Sequence, residues 1–181
     1  VKDDLTILWI TIAGFLVFFM HAGFTLLESG MTQSKNAVNI AMKNLMAISL
    51  GSFVYWIIGY SLMYGDTTNG FFRWGKFFSG ADAYDLFFQS MFAATCATIV
   101  SGAVAGRTKY SVFGIMALII TGIIYPIAGG WEWNGDGWLN NTDIVPVEFI
   151  DLAGSSIVHA VGGWAALVGA YMVGPRLGKF V

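Results

Sequence analysis

Apolar positions along this chain gather into five long runs, over residues 5–27, 38–64, 85–105, 111–128 and 151–173. Each is close to the ~20 residues that a helix needs to cross a hydrocarbon core of ~30 Å. Buried helices of soluble proteins are seldom this long and this apolar in series. The pattern predicts one all-α domain over 1–181, a polytopic membrane helix bundle with five transmembrane helices. Two polar stretches between them are long, 65–84 and 129–150, and both are rich in Gly, Trp, Asn and Asp. Small residues punctuate the helices: Gly102 and Gly106 form a GxxxG, and Gly154, Gly162, Gly163 and Gly169 line the fifth run. Such residues let membrane helices approach closely, which argues for a tight bundle.

Composition sharpens this. Of the 181 residues 56% are hydrophobic and 11% charged, against roughly 25% charged in a soluble domain. So few charges could not keep this much apolar mass in water, so the expected partner is a lipid bilayer. The formal net charge is −2 and no basic stripe is present, so nucleic acid is not an expected partner. The single cysteine, Cys96, excludes an intramolecular disulfide and a cysteine zinc cluster. With only His21 and His159, a multi-histidine metal site is not expected, and there is no phosphate-cradling glycine motif. No metal, cofactor or enzymatic activity is expected.

The placement of charge predicts orientation. Lys35, Arg107, Lys109, Arg176 and Lys179 follow the first, third and fifth runs. Opposite them fall Asp3, Asp4, Asp66, Asp82, Glu132, Asp136, Asp143 and Glu148, with Lys2, Arg73 and Lys76 in the minority. Cytoplasmic loops collect Lys and Arg, so the N-terminus is expected outside and the C-terminus in the cytoplasm. The net acidic outer face would concentrate cations mildly. The first residue is Val1 rather than Met, which fits either a removed signal peptide or a trimmed chain.

A few residues carry candidate chemistry. His159 follows Asp151 by eight positions, about 12 Å if the helix begins there, so the ring is expected well inside the membrane. A polar ring in hydrocarbon needs a partner or water, and ionisable residues there mark function; the plainer reading is a histidine bonded to a serine or a carbonyl between helices. Asp151 can cap the free N–H groups of the fifth helix, or can also shape the field at an outer cation site. Phe88 and Phe92 are four apart and share a helix face, as core or lipid packing or as a plug across a pore. Trp133 belongs either to an aromatic belt with Trp74, Trp131 and Trp138, or to a cation site as a π face. His21 and Glu28 read as structural, with Glu28 reaching the interface or pairing with Lys35 or Lys43.

Four stretches resemble a known family. AGFTLLESGMTQSKNAVNIAMKNLM (22–46), FQSMFAATCATIVSGAVAGR (88–107), YPIAGGWEW (125–133) and DLAGSSIVHAVGGWAALVGAYMVGPRLGKF (151–180) are similar, in order, to signature blocks of the ammonium transporter family (Amt/Mep/Rh). The resemblance implies a membrane protein that passes ammonium or ammonia, with methylammonium as a candidate analogue, usually as a homotrimer in the plasma membrane. It implies that Phe92 and Trp133 form floor and wall of an outer recruitment site, that Phe88 neighbours them at the gate, and that Asp151 supports recruitment from behind. His159 matches the first of two facing pore histidines. Family members usually have about eleven helices as two inverted five-helix repeats and a last helix. The five helices here match the first repeat, so this chain is expected to be the N-terminal half of a longer polypeptide. The resemblance leaves a second role open: an ammonium-sensing membrane domain fused to a cytoplasmic output module.

Overall fold

A computed structural model describes residues 2–67, 69–75, 77–78, 82–147 and 149–178. Among the described residues every regular element is helical, and the one strand-like pairing is an isolated antiparallel bridge between Asp66 and Trp74. Of the charges used above for orientation, Lys76, Glu148 and Lys179 lie outside the described residues.

Helix α1 runs Lys2–Gly30. Helix α2 passes without a break from Ala37–Val54 through a wide π-turn at Tyr55–Gly59 into Tyr60–Tyr64. Helix α3 is Ala83–Val104. Helix α4 repeats the build of α2, with Tyr110–Ile119, a π-turn at Ile120–Ile124, and Tyr125–Trp133. Helix α5 is Ile157–Val173. The first four have the length and apolarity to cross a membrane, and α5 is a shorter apolar helix.

Two ends differ from the sequence expectation, each for a local reason. Helix α4 continues past residue 128 because Gly129 and Gly130 serve close packing rather than termination. A Cβ on Gly129 would stand 2.6 Å from the Met63 methyl, and one on Gly130 would stand 2.7 Å from the Arg73 guanidinium. The π-turn ahead of Pro126 loosens the ladder where proline has no N–H to give. Helix α5 begins at Ile157, not at residue 151, because residues 151–156 wrap around the Asp151 carboxylate. The 12 Å of helix expected between Asp151 and His159 is therefore absent, and His159 stands in the first turn of α5.

Helix α3 is the hub, with α1, α2 and α5 packed around it. Its buried face is built from small side chains, among them Ala93, Ala94, Cys96, Ala97 and Ser101. Without a hydrophobic drive between helices in lipid, such residues allow the dense contact that holds a bundle together. The α1–α3 seam has a strict period of seven. Gly14 faces Phe87, His21 faces the backbone of Ala94, and Glu28 meets Ser101. A repeat of seven rather than 7.2 gives two parallel helices a left-handed wrap. At the end opposite the long loops, the Arg107 guanidinium donates to the carbonyls of Ala103 and Gly174, tying the ends of α3 and α5 together. Such carbonyls have no partner within their own helix, and a cation suits them.

Candidate functional site

The site is assembled from three places in the chain. Helix α3 contributes Phe88, Gln89 and Phe92; the end of α4 contributes Glu132 and Trp133; the loop into α5 contributes Ile150, Asp151 and Leu152. They line an open cavity of about 530 Å³. The Phe88 and Phe92 rings meet edge to face, with centroids 4.9 Å apart and planes at 82°. Phe92 and Trp133 are 5.6 Å apart at 60°. Both Phe92 and Trp133 are half-buried, so part of each ring is open to the cavity. A ring face presents negative potential, and two such faces suit a small cation without committing a charged side chain to it.

Asp151 holds this arrangement. Its Oδ1 accepts from the amides of Ala153 (3.3 Å), Gly154 (2.8 Å) and Ser155 (3.0 Å). Its Oδ2 accepts from the amides of Ser156 (2.8 Å) and Ile157 (2.7 Å). The same residue donates its own N–H to Glu132 Oε1 at 2.9 Å, and its carbonyl accepts the Trp133 indole N–H. Burial pushes the Asp151 carboxyl up, but the amides of Ile157, Ser156, Ala153 and Gly154 outweigh it and hold the group below the ordinary carboxylate range. With both oxygens engaged by backbone, the carboxylate acts on the cavity through its field and by shaping the loop whose Asp151 carbonyl holds the indole. Gly154 completes the wrap at φ +78°, where a Cβ would crowd Val158 and come within 3.2 Å of the Trp133 ring.

His159 is not part of this cavity. It is exposed on α5, and its Nδ1 lies 3.0 Å from the Gly154 carbonyl. A carbonyl can only accept, so Nδ1 is the donor, and in the neutral ring Nε2 keeps its lone pair. The structure thus joins Phe88, Phe92, Trp133 and Asp151 at one place and sets His159 beside it, one loop further on.

Sequence reasoning passed over Gln89, Glu132 and Asn140, which also line the cavity. The Asn140 amide donates to the carbonyls of Glu132 and Asn134, folding the 134–140 loop back over the site. The available signal was position: Gln89 lies within the F-Q-x-x-F stretch and Glu132 between the tryptophans of W-E-W. The Glu28 Oε2 accepts from Asn44 and Ser101, and Lys43 acts on Glu28 through space while its ammonium donates to the Thr108 carbonyl at 3.0 Å and lies 5.7 Å from the Phe113 ring centre.

Membrane-length helices around a small-residue hub, with an aromatic cavity at one end, define a multi-pass helical membrane protein. Its sequence matches the model of the Ammonium Transporter Family over residues 8–181, and the chain belongs to that family. It is 42% identical to the ammonium transporter Amt2 of Archaeoglobus fulgidus over 183 residues, covering 95% of this chain and 39% of that protein. Among solved structures it superposes on a protein titled Sensor Amt Protein with a TM-score of 0.90 at 38% identity, covering 98% of this chain and 46% of that one. On Candida albicans Mep2 the TM-score is 0.81 at 29% identity, covering 94% of this chain and 39% of that one. The chain spans about two fifths of the length of the curated relatives it matches.

Proposed function

We propose that this chain forms one half of an ammonium conduit, with the N-terminus outside the plasma membrane and the last described residues in the cytoplasm. Ammonium from outside enters the cavity and rests against Phe92 and Trp133, whose rings offer roughly 0.5–2 kcal/mol of cation–π attraction. Asp151 supports recruitment by fixing the indole and adding negative field. Phe88 and Phe92 form the gate beneath. An intact cation in a dry apolar passage carries a Born cost of tens of kcal/mol in the limiting estimate, and desolvation favours loss of its proton. Neutral ammonia passes the gate and hydrogen-bonds to the His159 imidazole, which lines the conduit on the α5 face. The remaining length of a full-size relative supplies the facing half, including the second histidine, and three copies assemble as a homotrimer with one conduit each.

The observation that carries this reading is the Phe92–Trp133 ring pair at the open cavity, with the indole held by the Asp151 carbonyl. The experiment is ammonium uptake by the full-length protein in proteoliposomes. Trp133→Leu is expected to raise the ammonium concentration at half-maximal uptake about fivefold, the equivalent of about 1 kcal/mol of lost cation–π attraction. An unchanged concentration dependence removes Trp133 from the site.

The likeness to a protein titled as a sensor favours one second reading. The same cavity would then bind ammonium and report it to a cytoplasmic output module. A signalling domain in the full-length reading frame, together with ammonium binding and no uptake, would select it.

A further inference from the structure

On the face between α1 and α5, helix α3 shows a stripe of half-buried residues, Phe88, Phe92, Ile99 and Ala103, which share one side of the helix. The aromatic cavity lies at the outer end of this stripe. A second cavity, of about 300 Å³, lies at its other end, lined by Phe24, Glu28, Thr98, Ile99, Gly102 and Arg176 among others. Phe92 and Ile99 are seven residues apart, so the two cavities are separated by about 10 Å along α3. Gly162 of α5 packs against Cys96 and Ile99, and Gly169 against Val104. By that register His159 is nearer the aromatic cavity, and the second one is further inward.

The second cavity is lined by an unsatisfied set of acceptors. Glu28 is 6% exposed, yet Oε1 has no hydrogen-bond partner among the described residues. Its other oxygen is engaged, by the Ser101 hydroxyl at 3.0 Å and the Asn44 amide at 3.4 Å. Thr98, at 0% exposure, leaves its hydroxyl unpaired in the same cavity, and the buried Oδ1 of Asn44 beside Glu28 is also unpaired. The nearby cations place their hydrogen bonds elsewhere, the Lys43 ammonium on the Thr108 carbonyl and the Arg176 guanidinium on the Met31 carbonyl, and Lys43 acts on Glu28 only through space. Buried polar groups are almost always partnered, so orphaned acceptors gathered at one cavity point to a ligand rich in donors.

We propose that Glu28, with Thr98, forms an inner site that binds a small N–H cation of the ammonium class. The assignment rests on the transport reading given above. Ammonium has N–H donors and a positive charge, which match the free Glu28 carboxylate oxygen and the Thr98 hydroxyl at the cavity. Ammonia that has crossed a dry conduit meets here the first buried carboxylate on its way inward, and a carboxylate favours the protonated form. The residue read as structural thus becomes the place where the solute is held as the cation before release, ammonia taking its proton from water on the cytoplasmic side, which is left as hydroxide.

The test uses the full-length protein and difference infrared spectra recorded on replacing sodium chloride with ammonium chloride. The wild-type protein is expected to show a shifted carboxylate band that Glu28→Gln removes and Thr98→Val weakens. Identical spectra for wild type and Glu28→Gln overturn the inner site, as does an equal response to sodium, which would mean a water-filled cavity. If Glu28→Gln does not yield a monodisperse protein, Thr98→Val decides, and an unchanged band then overturns the proposal. Uptake is measured in parallel. Glu28→Gln is expected to cut the maximal rate about tenfold with the half-maximal concentration unchanged. Wild-type uptake without the band rejects the inner site and leaves the transport reading standing; the band without uptake rejects the transport reading instead.

Discussion

Helices α1 and α3 are both of membrane length, but they occupy opposite positions in the bundle. In the most apolar stretch of α1 only 11% of residues are buried, against 61% for α3. Helix α1 is the more apolar of the two, and it offers Leu16, Phe19 and Leu26 outward; inward it turns Gly14, His21 and Glu28. Helix α3 is poorer in large apolar residues and richer in Ala, Ser and Thr, and nearly all of these are buried. In water the ranking would be reversed. In lipid, large apolar side chains gain nothing by leaving the hydrocarbon, so small and weakly polar residues mark the inside. Phe88 and Phe92 of the aromatic cavity sit on α3, the hub, while α1 contributes a single buried carboxylate at its far end.

The contrast between the two helices gives the largest expected effect. Ala97 on α3 is fully buried, and Ala97→Leu should cost about 1–3 kcal/mol by overpacking, more if α3 cannot shift. Leu16 on α1 is 66% exposed, and Leu16→Ala should stay within about 0.5 kcal/mol. Thermal unfolding of the detergent-solubilised full-length protein measures the gap. Equal losses would show that the outward face of α1 is covered by protein rather than lipid.

A smaller effect is expected at the loop before α5. Asp151→Asn leaves one acceptor oxygen where five amides now share two, and should cost about 1–2 kcal/mol, the range of a lost N-cap. Because the folded carboxyl titrates below its unfolded value, this contribution is complete above about pH 4 and is lost as pH falls through the folded value. The stability difference between wild type and Asp151→Asn should therefore shrink on acidification. A difference that does not shrink at all as the pH is lowered would mean that the carboxylate charge is not what closes the turn.

Much of the fold is legible in the sequence, because a run of twenty apolar residues has few alternatives. The start of α5 is not. The residues DLAGSS read as the first turns of a helix until one sees that a carboxylate at 151 and a glycine at 154 can close a loop on themselves. Hydropathy does not register this, since the backbone amides do the work. For the site, Phe88, Phe92, Trp133 and Asp151 are singled out by spacing and resemblance, and Gln89, Glu132 and Asn140 are not. These are polar residues in loops or beside stronger motifs, and only tertiary contact gives them a role. Glu28 shows the same limit: its position near a helix end suggests a lysine partner, and Lys43 does act on it through space, but the seven-residue seam sends its hydrogen bonds to Ser101 and Asn44.

The most direct measurement compares ammonium-driven with potassium-driven flux through the full-length protein in proteoliposomes under equal gradients. Potassium matches ammonium in charge and nearly in size, but it has no proton to lose. The account predicts flux with ammonium and background with potassium. Equal fluxes would mean that intact cations pass, and would contradict it.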